Sequence, residues 1–334
     1  MTKTEATGSL LGTGITDGVL PVDKPAGPTS HDVVARARLA LGQRRIGHTG
    51  TLDPFASGLL LLCVGRATRI AEYLTRLSKQ YRAVMTLGTG TGTDDATGAV
   101  TTISGAWRDL TAEQVAGALT DQIGTLLQRP PAYSAKKVAG ERMYDLARKG
   151  LAPVPEPVSV EIHSLDIVDW APPALTFDVV CSAGTYVRAI ARDAGDRLGV
   201  PAHLSALRRT AIGSYRAEDA VSVECLDDAA VVQRAWITPL QALAHLPVFE
   251  IDAVSADALA HGRSIEVAET RAARGTTERV STGDTPERVA ASRTPDSDAR
   301  VGKRAGAAVA ALGDRVIAIV ESDGHVLRPR KVFA

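Results

Sequence analysis

The segment Gly47–Leu62, GHTGTLDPFASGLLLL, constrains the fold more than any other stretch of the chain. The apolar run GLLLLCVG that ends it has the length and composition of a buried strand. The turn before it is punctuated by Gly47 and Gly50, which let the backbone reverse tightly. Pro54 biases Asp53 away from the helical region. The segment therefore predicts a carboxylate held at a sheet edge, beside an apolar wall and fixed to a rigid strand. From these residues alone, a turn aspartate that caps its own backbone is the better reading.

The rest of the chain predicts an α+β protein. GVLPVDK reads as a strand, and Ser30 as the N-cap of a helix stopped at Gly42. QYRAVMTLG partly alternates, as a strand with one solvent face does. GTGTGTDDATG matches neither glycine-rich phosphate-loop template, which argues against a nucleotide-binding loop. Thr111 and Gln114 fit a capping box for a helix ending at Gly124. After Pro130 and Pro131, a basic, tyrosine-bearing helix is predicted up to Gly150. PVSVEIHSLDIVDW and ALTFDVVCSAG are strand-like, and TYVRAIARDAGDRLG is an amphipathic helix stopped at Gly199. The strands are too hairpin-like for a doubly wound parallel sheet.

With 334 residues the chain is long enough for two domains. A boundary is predicted near residue 245, with a small β-rich domain over 245–334. Within it, residues 269–305 hold no aromatic residue and are dense in Thr, Ser, Arg, Gly and Asp. That composition predicts a disordered loop. The first 17 residues lack the basic and apolar regions of a signal peptide and read as a loose tail. No apolar run reaches the roughly 18 residues of a membrane span. Cys63, Cys181 and Cys225 have no paired spacing, so reduced thiols and a cytoplasmic location are expected.

Charge is balanced, with 38 basic and 38 acidic residues, which by itself argues weakly against a nucleic-acid partner. The distribution is uneven: from Ser30 to Arg82 nine bases face three acids. Such a surplus can hold a phosphate backbone, although solvated helix faces account for it equally well.

Candidate chemistry centres on few residues. The seven histidines are scattered without metal-ligand spacing, so no metal is expected. His48, on a loop beside basic residues, could stack on a nucleobase. Arg188 could be a permanent cation beside a buried acid, or an ordinary surface arginine. Asp94 and Asp95 are further carboxylates that nothing in the sequence brings to Asp53. Ser57 is not in a nucleophile elbow.

Taken in order, seven pieces between Gly18 and Tyr215 resemble the bacterial TruB family of tRNA pseudouridine-55 synthases. They are GVLPVDKPAGPTS, RIGHTGTLDPFASGLL, KQYRAVMTLG, TDDATG, PPAYSAKKVAGERMYDLARKG, CSAGTYVRAIARDAGDRLG and AHLSALRRTAIG. The resemblance implies a pseudouridine-synthase fold over 18–244. This has a mixed, largely antiparallel central sheet, with an RNA-gripping insertion at 130–156 and a PUA-like domain over 245–334.

It also implies isomerisation of uridine 55 in the tRNA T-loop by base flipping, with no cofactor. Asp53 would be the catalytic nucleophile or base, and Arg188 its partner, keeping it ionised by lowering its pKa. Tyr81 would stack on the flipped uracil and is a proposed base, with Tyr186 beside Arg188 and Leu207 as an apolar wall. His48 would fill the space vacated in the RNA loop, and Lys24 lies near the site. Arg44, Arg45, Lys136, Lys137, Arg142 and Tyr144 are the expected RNA contacts. Thr51, Phe55 and Ser57 depart from the family's usual residues in ways that suggest packing changes.

The expected partner is the T-arm of tRNA, with no membrane, no obligate protein partner and a monomeric state. A non-catalytic tRNA-folding chaperone is the rival reading, and the two activities can coexist. Relatives that use guide RNAs and partner proteins are a third reading, against which the short N-terminus and missing basic tails count.

Overall fold

The computed structural model describes residues 16–131, 137–138, 141–142, 155–266, 306–323 and 325–333. Lys136, Tyr144 and the segment 269–305 lie outside the described residues, and of Lys137 and Arg142 the backbone alone is described. The chain divides into two compact units, at Ile237 and Thr238.

The first unit is built on a ten-stranded mixed sheet. Its strands in chain order begin with β1 (Gly18–Lys24), β2 (Ile46–His48), β3 (Ser57–Val64) and β4 (Lys79–Leu87). A separate ribbon, β5 (Thr89–Thr91) with β6 (Val100–Ile103), follows, then β7 (Gly124–Gln128). A short pair, β8 (Lys137–Val138) and β9 (Glu141–Arg142), precedes β10 (Val158–Ala171), β11 (Ala174–Cys181) and β12 (Ala202–Ile212). The last are β13 (Tyr215–Arg216) and β14 (Val221–Ser222).

The order across the sheet is β14-β1-β3-β12-β4-β11-β10-β7, with β2 on β3 and β13 on β12. The β1/β14 and β3/β12 junctions are parallel, and the remaining pairs are antiparallel. The run Leu59–Val64 is 0% exposed throughout, as expected of a strand with covered faces and neighbours on each side. Gly58 is required where β3 meets β12. Its φ is +105°, and a Cβ there would lie 2.2 Å from the Arg209 carbonyl oxygen.

Helices Ala112–Thr120 and Val187–Leu198 pack with β4, β10, β11 and β12 around Met85, Phe177, Ile190 and Leu204. Helix Ser30–Leu41 packs with β1 and β3 around Leu20, Val34, Leu60 and Leu62. Gly42 and Gly199 stop their helices at φ 61° and 66°, as the sequence predicts.

Three local expectations are corrected. The N-cap of the first helix is Thr29, not Ser30. Thr29 accepts from the Asp32 amide while Asp32 reaches back to the Thr29 amide, so the box closes one residue earlier and Ser30 turns inward. The helix with the Thr111–Gln114 box ends at Thr120, and Gly124 opens β7 at φ +105°. Lys137–Val138 and Glu141–Arg142 pair as β8 and β9 instead of forming helix. The rest of that predicted helix, up to Gly150, lies outside the described residues.

The second unit carries a five-stranded sheet, with β15 (Val248–Glu250), β16 (Ile265–Glu266), β17 (Gly306–Leu312), β18 (Arg315–Ser322) and β19 (Val326–Val332), in the order β15-β17-β18-β19-β16. A helix, Ala253–Ala260, packs Leu259 against Val320 and Leu327. Among the described residues no helix is long and apolar enough to cross a membrane.

Candidate active site

The start of β3, the start of β4, the end of β11 and the later half of β12 meet at one end of the sheet, because Ser57 is level with Arg208, and Lys79 with Cys181 and Ile212. A pocket of about 270 Å³ opens there, at the small end of ligand sites. Strand alternation supplies one wall. Lys79, Tyr81 and Ala83 share a face of β4, and across the ladder Tyr81 pairs with Arg209 and Ala83 with Leu207. Tyr81 and Leu207 are 9% and 8% exposed, and both line the pocket.

The opposite wall is the loop that carries Asp53, and many bonds hold it. The Thr49 amide donates to Leu61 O and the Ala56 amide to Asp53 O. Inward-turned Ser30 both donates to Leu52 O (3.1 Å) and accepts from the Leu52 amide (2.9 Å). Lys24 is fully buried behind the loop and donates to the carbonyls of Pro25 (2.9 Å), Pro54 (3.4 Å) and Ala56 (2.6 Å). Arg209, 2% exposed, donates to Leu59 O (2.7 Å) and Gly50 O (3.1 Å). A loop pinned from β1, the first helix, β3 and β12 has little freedom to move its one carboxylate.

Arg188 meets that carboxylate. It sits in the first turn of helix Val187–Leu198, is 4% exposed, and places Nε 2.9 Å from Asp53 Oδ2 and Nη2 3.2 Å from Oδ1. The bidentate geometry selects arginine over lysine. The remaining face of the guanidinium is held by Thr93 O (2.8 Å) and Asp95 Oδ2 (3.1 Å). Asp95 Oδ1 is itself held by the Thr93 and Thr97 hydroxyls and the Thr97 amide. Tyr186, on the pocket wall, is fixed through its backbone: Gln128 accepts from its amide (2.8 Å) and donates to its carbonyl (3.1 Å).

The electrostatics follow from burial. Desolvation pushes the Asp53 carboxyl above the usual carboxylate range, and Arg188 pulls against that change while Asp95 adds to it. This corrects the expectation that Arg188 lowers the Asp53 pKa outright: burial outweighs the cation. Burial likewise raises the Tyr81 hydroxyl, with Arg209 opposing. Burial brings Lys24 and Lys79 down to about 8 each. His48 falls to about 4, from burial first and then the nearby charges of His31 and Arg209. It is therefore neutral at pH 7. Its Nδ1 accepts from the Gly50 amide, and its ring meets His31 edge-on at 5.4 Å.

The structure thus gathers Asp53, Tyr81, Tyr186, Arg188 and Leu207 in one pocket. Lys24 and His48 lie beside it, at the back of the loop and at the end of β2. Arg44 and Arg45 are exposed before β2, away from the pocket, and Arg45 donates to the Thr68 hydroxyl (2.7 Å). Sequence reasoning missed Arg209, Lys79 and Gln128, and named Asp95 without connecting it to the site. The tandem acids Asp94 and Asp95, set against two arginines one helical turn apart at 188 and 192, were a usable signal. Arg209 and Gln128 act on backbone groups far away in sequence and left none. Among the described residues no cluster of His, Cys, Asp or Glu is placed to hold a metal.

Comparison with known proteins identifies the family. Residues 38–187 match the TruB family pseudouridylate synthase N-terminal domain, and residues 188–244 match the tRNA pseudouridylate synthase B C-terminal domain. The tRNA pseudouridine synthase B of Symbiobacterium thermophilum is 47% identical over 249 residues, 74% of this chain and 82% of that protein. Its counterpart from Geobacillus thermodenitrificans is 41% identical over 255 residues, 74% and 84% of the two chains.

Solved structures share the fold. A chain of a Cbf5-Nop10-Gar1 complex superposes with a TM-score of 0.68 at 24% identity, covering 96% of this chain and 86% of its own. A chain of an H/ACA ribonucleoprotein bound to a substrate RNA containing 2'-deoxyuridine gives 0.67 at 23%, covering 96% and 86%. The two family matches, and relatives above 40% identity over three-quarters of the chain, show that this protein belongs to the TruB family of pseudouridine synthases.

Proposed function

We propose that this protein converts uridine to pseudouridine at position 55 of the tRNA T-loop, with Asp53 as the group that acts on the sugar. The observation that carries the reading is a single carboxylate, one-third exposed, aimed into the pocket and held in a bidentate pair by a buried arginine. The reaction breaks the C1′–N1 bond, turns the uracil, and forms C1′–C5. The C5 proton is lost and N1 gains one, so nothing is oxidised and no group is added.

Asp53 serves either as nucleophile at the sugar or as base at C2′. Arg188 opposes the effect of burial and keeps the ionised form accessible. It is locked in turn by Asp95, so it does not swing to another acceptor. A flipped base needs an aromatic face and an apolar wall, and Tyr81 and Leu207 offer them. The raised Tyr81 hydroxyl is a neutral phenol at pH 7, which favours stacking and hydrogen bonding over service as a base. His48, also neutral, suits stacking in the opened RNA loop. Lys24 acts through the loop it holds and does not touch the base.

Arg44, Arg45, Lys136, Lys137, Arg142 and Tyr144 are proposed to contact the RNA outside the pocket. The second unit is proposed to act as a PUA-like RNA-binding domain. The enzyme is proposed to work alone, as a cytoplasmic monomer. The test is an unmodified tRNA transcript incubated with the protein and mapped for pseudouridine at single-nucleotide resolution. Conversion at position 55 is expected; conversion at another position, or none, overturns the reading.

A further inference from the structure

Arg188 does not reach the Asp94–Asp95 loop alone. One turn along the same helix, Arg192 places Nη1 2.9 Å from Asp94 Oδ2. Its other nitrogens meet Asp193 Oδ1 (2.8 Å) and the backbone carbonyl of Arg129 (2.9 Å). Adjacent carboxylates on one loop thus meet adjacent arginines on one helix. Asp94 is, among the described residues, the one non-glycine with positive φ, at 59°. A side chain there disfavours the left-handed backbone, and aspartate tolerates it better than most residues. The residues around Asp94 carry the groups that hold Arg188: Thr93 O before it and Asp95 Oδ2 after it. The loop is also zipped to β12, with the Leu204 amide on Asp94 O (3.0 Å) and the Ala96 amide on Leu204 O (3.0 Å). If Asp94 relaxed to negative φ, both Arg188 acceptors would be displaced.

We infer that Arg192 is a positioning residue, which holds Asp94 in its left-handed turn and thereby fixes Thr93 O and Asp95 against Arg188, and Arg188 against Asp53. This rests on the proposed pseudouridine synthesis, and wild-type conversion of the transcript is its control.

The test compares Arg192→Ala with the double variant Arg192→Ala/Asp94→Gly. Glycine adopts φ +59° without a side-chain restraint. In Arg192→Ala the single-turnover rate of pseudouridine formation should fall about tenfold, the factor that matches a left-handed cost of about 1.4 kcal/mol. The tRNA Kd should stay within about twofold. Amide exchange at Ala96 and Leu204, read by mass spectrometry without RNA, should accelerate. The Asp94→Gly change should restore both rate and protection. A weakened Kd with an unchanged rate would make Arg192 an RNA contact instead. An unchanged rate with unchanged exchange, or a lost rate that glycine fails to restore, also overturns the inference. Should Arg192→Ala not fold, Arg192→Gln and its Asp94→Gly double carry the same comparison. Inactive wild type would count against the proposed function, and the exchange readout would still decide the role of Arg192.

Discussion

Replacing Lys24 by methionine separates what the Asp53 loop needs for chemistry from what the fold needs for stability. The ammonium is fully buried, and burial brings its pKa from 10.5 to about 8, against the attraction of Asp53. A tenfold loss of proton affinity corresponds to about 1.4 kcal/mol, so holding the proton on Lys24 at pH 7 costs the native state about 3 kcal/mol. Methionine removes that cost and also the hydrogen bonds to Pro25, Pro54 and Ala56, whose contribution is of the same order. At pH 7 the variant should therefore unfold in urea within about 2 kcal/mol of wild type.

The pH dependence has a definite sign. Between about pH 8 and 10.5 the unfolded chain keeps the Lys24 proton while the native chain has released it. Wild type should gain on the variant as pH rises, by up to about 1.4 kcal/mol for each pH step of one. Activity should respond quite differently. Freed from Lys24, the Pro54 and Ala56 carbonyls no longer fix the loop, and displacements near 1 Å cost on the order of 10–100-fold in rate. Urea titrations at pH 7 and 9.5, with single-turnover assays at pH 7, read both effects. An unimpaired rate, or relative stability that falls with pH, would refute the reasoning.

Three further outcomes are expected. Asp95→Asn removes a charge that raises the Asp53 carboxyl, so the acid limb of the rate–pH profile should move to lower pH; an upward move contradicts this. His48→Ala should weaken tRNA binding by about 1–3 kcal/mol and leave its salt dependence unchanged at pH 7, because His48 titrates near 4; a flatter slope would mean that it binds as a cation. Gly58→Ala drives a Cβ to 2.2 Å from Arg209 O and should lower Tm and disturb the Arg209 grip on the loop; a variant as stable as wild type would show that β3 and β12 can separate there.

The loop around Asp53 is legible in part, because Pro54 and the leucine run are local signals, while the bonds from Lys24, Ser30 and Arg209 that pin it come from far away in sequence. The helix stops at Gly42 and Gly199 are legible because they too are local. Ser30 imitates a cap because Thr29 is an equally good one, and a tertiary contact makes the choice, the Ser30 hydroxyl on Leu52. The β8–β9 pair is not legible because the run around it is basic and amphipathic and carries no strong two-residue hairpin signal such as Asn-Gly or Asp-Gly. Tyr81, Tyr186 and Leu207 gain site roles only through the family resemblance, since their residue types recur along the chain, and Arg188 is decided between cation partner and surface residue only by it. Asp95 is visible as a carboxylate but not as a site residue, and Arg209 stays hidden, because their partners lie 93 and 150 residues away in sequence. The Asp53 pKa moves opposite to the sequence expectation for a related reason: sequence names a charge partner, while burial emerges only when the sheet assembles.

The central claim is that the Asp53 carboxylate, and not merely the pocket around it, makes pseudouridine. Asp53→Asn keeps the size and removes the charge. Its tRNA Kd should stay within a few-fold of wild type, because the neutral residue leaves the pocket shape and the basic surface in place. Its single-turnover rate should fall by at least about 10³-fold. A rate within a few-fold of wild type, measured on the same transcript at the same position, would contradict the account.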